Sequence, residues 1–272
     1  MFTNLQHHPG ITQEQHRALP FVSNTDLSNL ADQLLGRVRV ANSYTADALT
    51  FGSHFHSAIL EPEQFQAIGQ QLPRGREENQ WIAAGELARI IKRHRYPRHV
   101  CYLGQAEQSY TATHEATGLI VKVRPDLLID SPQKRRRTLV DFKTTSCKDL
   151  AQFLETVDKY GYDRQGALYA DALSAHRVVL IAVQKKPAKG QEPQVWVHEL
   201  TAEQMQAGRK KYGKLLRCAA ELPWPKPVRC KTCNDVMTAV EEEANGGTCD
   251  DCRRDWEDSP QAQALYSAVH DE

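Results

Sequence analysis

The sequence predicts an α+β domain in which helices cover a sheet, followed by a small cysteine module. Three observations predict it. Apolar residues recur at helical spacing as far as Arg95. From Gln108 to Thr144 the texture changes to short alternating or Val/Ile/Leu-rich stretches separated by turn residues. Helical patterning then returns, broken by a continuous apolar run over Arg177–Val183 that suits a buried strand.

Residues 1–22 read as extended or loop, with Pro9-Gly10 and Pro20 as breakers. Asn24–Leu35 places Leu27, Leu30, Ala31, Leu34 and Leu35 on one helical stripe. Asp26 and the polar residues before it are capping groups, and Gly36 stops the helix. A second helix spans about Ala46–Leu60, with Phe51, Phe55 and Ile59 at intervals of four before Pro62. A third runs from about Glu77 to Arg95 and ends before Pro97. Gln108–Thr113, Leu119–Ile129 and Thr138–Thr144 then form a three-strand antiparallel meander, turning at Thr117-Gly118 and Ser131-Pro132. Helices follow over Asp149–Val157 and Asp163–Leu173, strands over Arg177–Val183 and Gln194–Leu200, and a last helix over Ala202–Leu222. Pro223, Pro225 and Pro227 form a linker, so the division expected is a domain over 1–222 and an appendage over 223–272.

At 272 residues the chain suits one large domain, or one with an appendage. A formal net charge of zero and a pI near 7.2 argue against a globally basic, DNA-coating protein. Positive charge is instead clustered, at Lys134–Arg137, Lys185–Lys189 and Arg209–Lys211. No apolar run approaches the roughly 18–20 residues that span a bilayer, and Met1–Gly10 lacks an apolar signal core. The expectation is a cytoplasmic protein with no membrane partner, where seven cysteines do not make a disulfide framework.

The chemistry concentrates between Arg124 and Thr145. Asp126 opens one apolar strand, and Asp141-Phe142-Lys143, the only Asp-x-Lys in the sequence, lies near the end of the next. Two carboxylates and an ammonium therefore meet at the mouth of a hairpin. On a strand Asp141 and Lys143 share a face. Carboxylates of this kind hold a divalent metal, Mg²⁺ or Mn²⁺, with help from the Phe142 carbonyl. Such a metal activates water and neutralises the leaving oxygen in phosphodiester hydrolysis. An isolated Asp-x-Lys is more often a surface ion pair; here two hydrophobic approaches and an upstream acid set it apart.

Pro125-Asp126 followed by Asp141-Phe142-Lys143 resembles the signature of the PD-(D/E)xK nuclease superfamily. The flanks resemble its RecE, or exonuclease VIII, branch. Phe51–Phe65 carries a glycine, a histidine and Leu60-Glu61-Pro62 in that branch's order, and Tyr160–Tyr169 is similar to its Gln-x-x-x-Tyr helix. The similarity covers roughly residues 10–222. It implies a restriction-endonuclease-like core of helix, three-strand meander, helix and strand. It implies metal ligation by His56, Glu107, Asp126, Asp141 and the Phe142 carbonyl, with Lys143 catalytic and Gln165 and Tyr169 approaching the site and DNA. His54 is a rival to His56, and Glu107 taken alone reads as a solvated strand-end acid. The resemblance further implies Mg²⁺-dependent, 5′-to-3′ degradation of one strand of linear duplex DNA in phage-type recombination. The implied partners are double-stranded DNA ends, a single-strand annealing protein and further copies of the chain in a homo-oligomer.

Cys230-x-x-Cys233 and Cys249-x-x-Cys252, fifteen residues apart, have the spacing of a structural Zn²⁺ site resembling a zinc ribbon. The segment has few large apolar residues, so metal supplies folding energy there. A departure from the RecE pattern, this module leaves an iron–sulfur nuclease acting on single-stranded ends as one alternative. A non-catalytic DNA-binding or inhibitory protein on the same fold is another. Cys101, Cys147 and Cys218 are read as structural.

Overall fold

A computed structural model describes residues 1–37, 43–72, 74–131 and 136–222, without the side chains of 43–46. The linker and all four cysteines of the paired Cys-x-x-Cys motifs lie outside the described residues, as does Lys134. By contacts the chain divides into Met1–His16 with Val22–Leu222, and Arg17–Phe21 with Pro223–Glu272. The first unit is the one described below.

The order of elements is β1 (Phe2–His8), α1 (Gln13–Ala18), α2 (Asn24–Leu34), α3 (Ser43–Leu60), α4 (Pro62–Gly69), α5 (Arg76–Arg93) and α6 (Arg95–Leu103). It continues with β2 (Gln105–Ala106), β3 (Ser109–His114), β4 (Ile120–Val123), β5 (Leu127–Ser131) and β6 (Arg136–Thr145). The last elements are α7 (Leu150–Lys159), α8 (Tyr162–Ala172), β7 (Arg177–Gln184), β8 (Val195–Glu199) and α9 (Ala202–Ala220). Ser23 caps α2 in a reciprocal capping box with Asp26, and Thr201 caps α9 with Gln204 in the same way.

Three features differ from the reading of the sequence. Residues 1–22 are extended in part, as the strand β1 antiparallel to β3, but Gln13–Ala18 within them is helical. The third helix ends at Arg93, before Pro97 as expected, but a further helix not read from the sequence, α6, follows extended backbone at His94, with Pro97 in its first turn. There the missing N–H has no acceptor to lose. Thirdly, the meander is not one sheet. β1, β3 and β4 form a three-stranded sheet, and β2, β5, β6, β7 and β8 a five-stranded one, in those orders. The apolar stretch Leu119–Ile129 reads as one strand but is cut by Pro125, which has no N–H for a ladder, into β4 of one sheet and β5 of the other.

In the larger sheet β6 pairs with β7 in parallel, through a crossover carrying α7 and α8; the other neighbours are antiparallel. Side-chain alternation on β6 then sorts the residues. Val140 and Phe142 enter a core with Phe55 and Ile59 of α3, Leu87 and Ile91 of α5, and Val179 and Ile181 of β7. Asp141 and Lys143 take the opposite face, toward α8. Two glycines let α8 sit close. A Cβ at Gly166 would lie 2.6 Å from Leu200 Cδ1, and one at Gly208 of α9 would lie 2.2 Å from the Asp163 carbonyl oxygen. Among the described residues no helix is long and apolar enough to cross a membrane.

Candidate active site

The chain passes directly from one sheet to the other twice, and both passages carry an acid. Glu107 lies between β2 and β3, and Arg124–Asp126 between β4 and β5. The Glu107 N–H donates to the Asp126 carbonyl at 3.1 Å, which pins the passages together. Glu107 adopts a left-handed φ of 53°, a conformation that costs a non-glycine residue about 1 kcal/mol or more. Its carboxylate is gripped by Arg124, whose Nε donates to Glu107 Oε2 at 2.6 Å. The same guanidinium donates to Ser109 Oγ at 2.7 Å and to the Ile11 carbonyl at 3.1 Å.

Asp126 is buried and doubly held. Its Oδ2 accepts the Phe142 N–H at 2.6 Å, and its Oδ1 lies 3.3 Å from His56 Nδ1. His56 Nε2 stands 3.0 Å from the Phe142 carbonyl. Both partners of this ring are acceptors, so without a metal both nitrogens are placed to donate; a His56 that binds metal gives up one of those protons. Burial alone would lower its pKa, but the Asp126 carboxylate overrides that and raises it to about 9. His54 is no rival. Its ring meets Trp81 edge-on at 4.7 Å and its Nε2 is 4.0 Å from Glu77.

On β6, Lys143 Nζ lies 2.7 Å from Asp141 Oδ2. Gln165 of α8 ties the two together: its Nε2 donates to Asp141 Oδ1 at 3.1 Å, and its Oε1 accepts from Lys143 Nζ at 3.3 Å. Lys143 Nζ also sits over the Tyr162 ring, 4.8 Å from its centroid. Tyr169, one turn beyond Gln165, lines the same small cavity as Pro125 and Asp141. Burial pushes its hydroxyl pKa up, with the Asp141 charge adding to the effect, so it is a neutral phenol.

Burial raises the Asp141 pKa and outweighs Lys143, whereas at Asp126 the burial cost is overcome by His56 and Lys143, which hold it low. Lys143 is burdened by burial too, but Asp141 and Asp126 raise its pKa, so it is an ammonium among these side chains. That favours a charge-stabilising donor over a base.

The donor set fits a divalent metal. Ligand atoms of His56, Glu107 and Asp126 lie within 4.8 Å of one another. Asp141 Oδ2 is buried, and although Lys143 is at ion-pair distance, no donor is aligned on it as a hydrogen bond. The closest grouping is therefore His56–Glu107–Asp126, with Asp141 reaching in from the Lys143–Gln165 side, rather than the Asp126–Asp141 pair alone. All of the residues expected from the core therefore converge. The sequence alone assigns no role to Arg124 or Tyr162. The signal for Tyr162 was its place three residues before Gln165, on the same helix face; for Arg124 there was only adjacency to Pro125-Asp126.

Residues 29–239 match the model of a family described as a PDDEXK-like domain of unknown function (DUF3799). The chain belongs to this family. No curated protein matches it. The PDDEXK-like domain is similar in structure to a "putative exonuclease" from Eubacterium rectale, at a TM-score of 0.55 and 20% identity, covering 88% of this chain and 100% of that one. At that identity the likeness speaks for the fold. A solved structure of SSO0001 aligns at a TM-score of 0.30 and 12% identity, over 71% of this chain and 84% of that one, too loosely to carry an argument.

Proposed function

We propose that this protein is a divalent-metal-dependent deoxyribonuclease, an exonuclease that degrades one strand of linear duplex DNA 5′-to-3′. One observation carries the hydrolase reading: buried Asp126, half-buried Asp141 and the Lys143 ammonium converge at one end of β5 and β6, with Gln165 bridging the last two. His56, Glu107, Asp126, Asp141 and the Phe142 carbonyl would hold Mg²⁺ or Mn²⁺. The metal, when bound, supplies an activated water and a counter-charge for the leaving oxygen. Lys143 offers its N–H groups to a phosphate oxygen, and the Tyr162 ring and Gln165 hold that ammonium in place. Tyr169 adds a neutral O–H donor.

The exonuclease reading draws on the RecE-like flanks, Leu60-Glu61-Pro62 and Gln165-x-x-x-Tyr169, and on the name of the Eubacterium rectale neighbour. Phage-type recombination, an annealing-protein partner and a homo-oligomer around the duplex belong to the same reading. So do the division into 1–222 and 223–272, a Zn²⁺ held by Cys230, Cys233, Cys249 and Cys252, and a cytoplasmic location. The intact acid–lysine set favours catalysis over a DNA-binding protein that merely reuses the fold. The test is purified protein with linear, nicked-circular and closed-circular DNA, with and without Mg²⁺. Metal-dependent loss of linear DNA alone is expected. Rapid cutting of closed circles would refute exonuclease action, and no cutting of any DNA with Mg²⁺ or Mn²⁺ would refute the nuclease.

A further inference from the structure

α6 presents a cationic and aromatic stripe that the hydrolytic site does not use. Arg95, Arg98, His99 and Tyr102 are all exposed. Their spacing, i, i+3, i+4 and i+7, puts them on one helix face. Tyr102 is 86% exposed. A groove of about 600 Å³ is lined by these four and Tyr96.

The charge here is unlike that of the rest of the surface. Between Glu86 and Glu107 the sequence has five Lys or Arg, two His and no acid, in a chain of zero net charge. Several arginines elsewhere on the surface are paired: Arg137 with Asp130, Arg177 with Glu199, Arg209 with Asp171. Among the described residues Arg95 and Arg98 have no ion pair and no side-chain hydrogen bond. Two unpaired guanidinium groups beside an exposed phenol ring complement a polyanion that also offers flat apolar faces.

The stripe is connected to the candidate active site. α6 is about 13 Å long at 1.5 Å per residue. Its Tyr102 end runs through Gly104 and β2 directly into Glu107, and Gly104 packs on Leu127, the neighbour of Asp126. Its other end lies by the start of β7, where Tyr96 feels the charges of Arg177 and Glu199. Arg177 pairs with Thr138, whereas Lys143 pairs with Ala182, so the helix leads from the site toward the opposite end of the sheet.

We propose that this face of α6 is a binding track for single-stranded DNA, with Arg95 and Arg98 on phosphates and Tyr102 stacked on a base. A duplex would satisfy the arginines but hide its base faces from Tyr102; an unpaired strand satisfies both. The inference rests on the nuclease reading only for the source of that strand, the one left unpaired when its complement is digested.

The test is fluorescence anisotropy of the full-length protein with a labelled oligothymidylate and with a blunt duplex, without added divalent metal. Arg95→Ala/Arg98→Ala should weaken oligothymidylate binding about tenfold and flatten its log–log salt dependence by about 1.4, for two single-strand phosphates. Tyr102→Ala should weaken it about tenfold and Tyr102→Phe hardly at all. Tyr102→Ala should change duplex affinity less than twofold, because a duplex offers that ring no base face. Unchanged oligothymidylate binding by either alanine variant overturns the track. Equal losses for duplex and single strand from Tyr102→Ala overturn its specificity. So does an equal loss from Lys210→Ala/Lys214→Ala on α9, which would show that bulk charge alone is at work. None of these outcomes depends on cleavage, so the nuclease reading stands or falls separately.

Discussion

The backbone of Phe142 orients the carboxylate of Asp126: the amide N–H of one strand donates at 2.6 Å to an acid just before the next. The residue between Asp141 and Lys143 thus does more than fill the core. Its side chain is buried among α3 and α5, its N–H fixes Asp126, and its carbonyl faces His56.

Asp126→Asn keeps an oxygen acceptor for that N–H, whereas Asp126→Ala leaves it buried and unpaired. The alanine variant should be less stable than the asparagine variant by about 1–3 kcal/mol. Both should lose DNA cleavage. Urea unfolding of the two checks this; equal stabilities would show that water or another group takes over the Phe142 N–H.

Asp141→Ala and Lys143→Ala should each lower cleavage by orders of magnitude while the fold persists, because each removes a group at the reacting phosphate. Circular dichroism and a DNA-end digestion assay report the two halves. A folded variant cutting at the wild-type rate would mean the site is elsewhere.

Gln165→Ala removes the amide that joins Asp141 to Lys143 without emptying a core position. A loss of about 10–100-fold in rate is expected, as for groups that orient ligands rather than bind metal. Stability should barely change. A rate within twofold of wild type would show that Asp141 and Tyr162 suffice to hold the ammonium.

Gly208→Ala acts from a distance. Its Cβ would meet the Asp163 carbonyl oxygen at 2.2 Å, so α9 must move away from α8. A cost of about 1–3 kcal/mol is expected from overpacking, together with slower cleavage, since α8 carries Gln165 and Tyr169. Thermal melts and rates read both. Full stability would place the strain elsewhere.

One zinc per chain is expected, on Cys230, Cys233, Cys249 and Cys252, because thiolates and Zn²⁺ match in softness. Elemental analysis checks it. Iron with acid-labile sulfide would favour the cluster alternative, and no metal in reduced protein would remove the site.

Much of the candidate site was legible in the sequence because its residues sit in short runs with local periodicity: Asp141-x-Lys143 on a strand, Gln165 and Tyr169 one helical turn apart. The longer helices, α2, α3, α5, α7, α8 and α9, were legible for the same reason, to within a few residues; the short α1, α4 and α6 were not. What could not be read is long-range. Nothing local shows that Leu119–Ile129 splits between two sheets at Pro125, or that polar Phe2–His8 pairs with Ser109–His114. The Arg124–Glu107 clamp depends on that split. The left-handed backbone at Glu107 has no signal either, since glycine or asparagine would ordinarily mark it.

The passages at Glu107 and Arg124–Asp126 also bear on how activity is acquired as the chain folds. Neither sheet contains the acids by itself, and His56 reaches Phe142 across 86 positions of sequence. Contacts of that separation form late and slowly. A chain with only its β6–β7 pairing complete would carry Asp141 and Lys143 yet have no assembled centre. Catalytic competence should therefore emerge in one step with global folding, leaving no half-built intermediate able to cut nucleic acid in the cell that makes it.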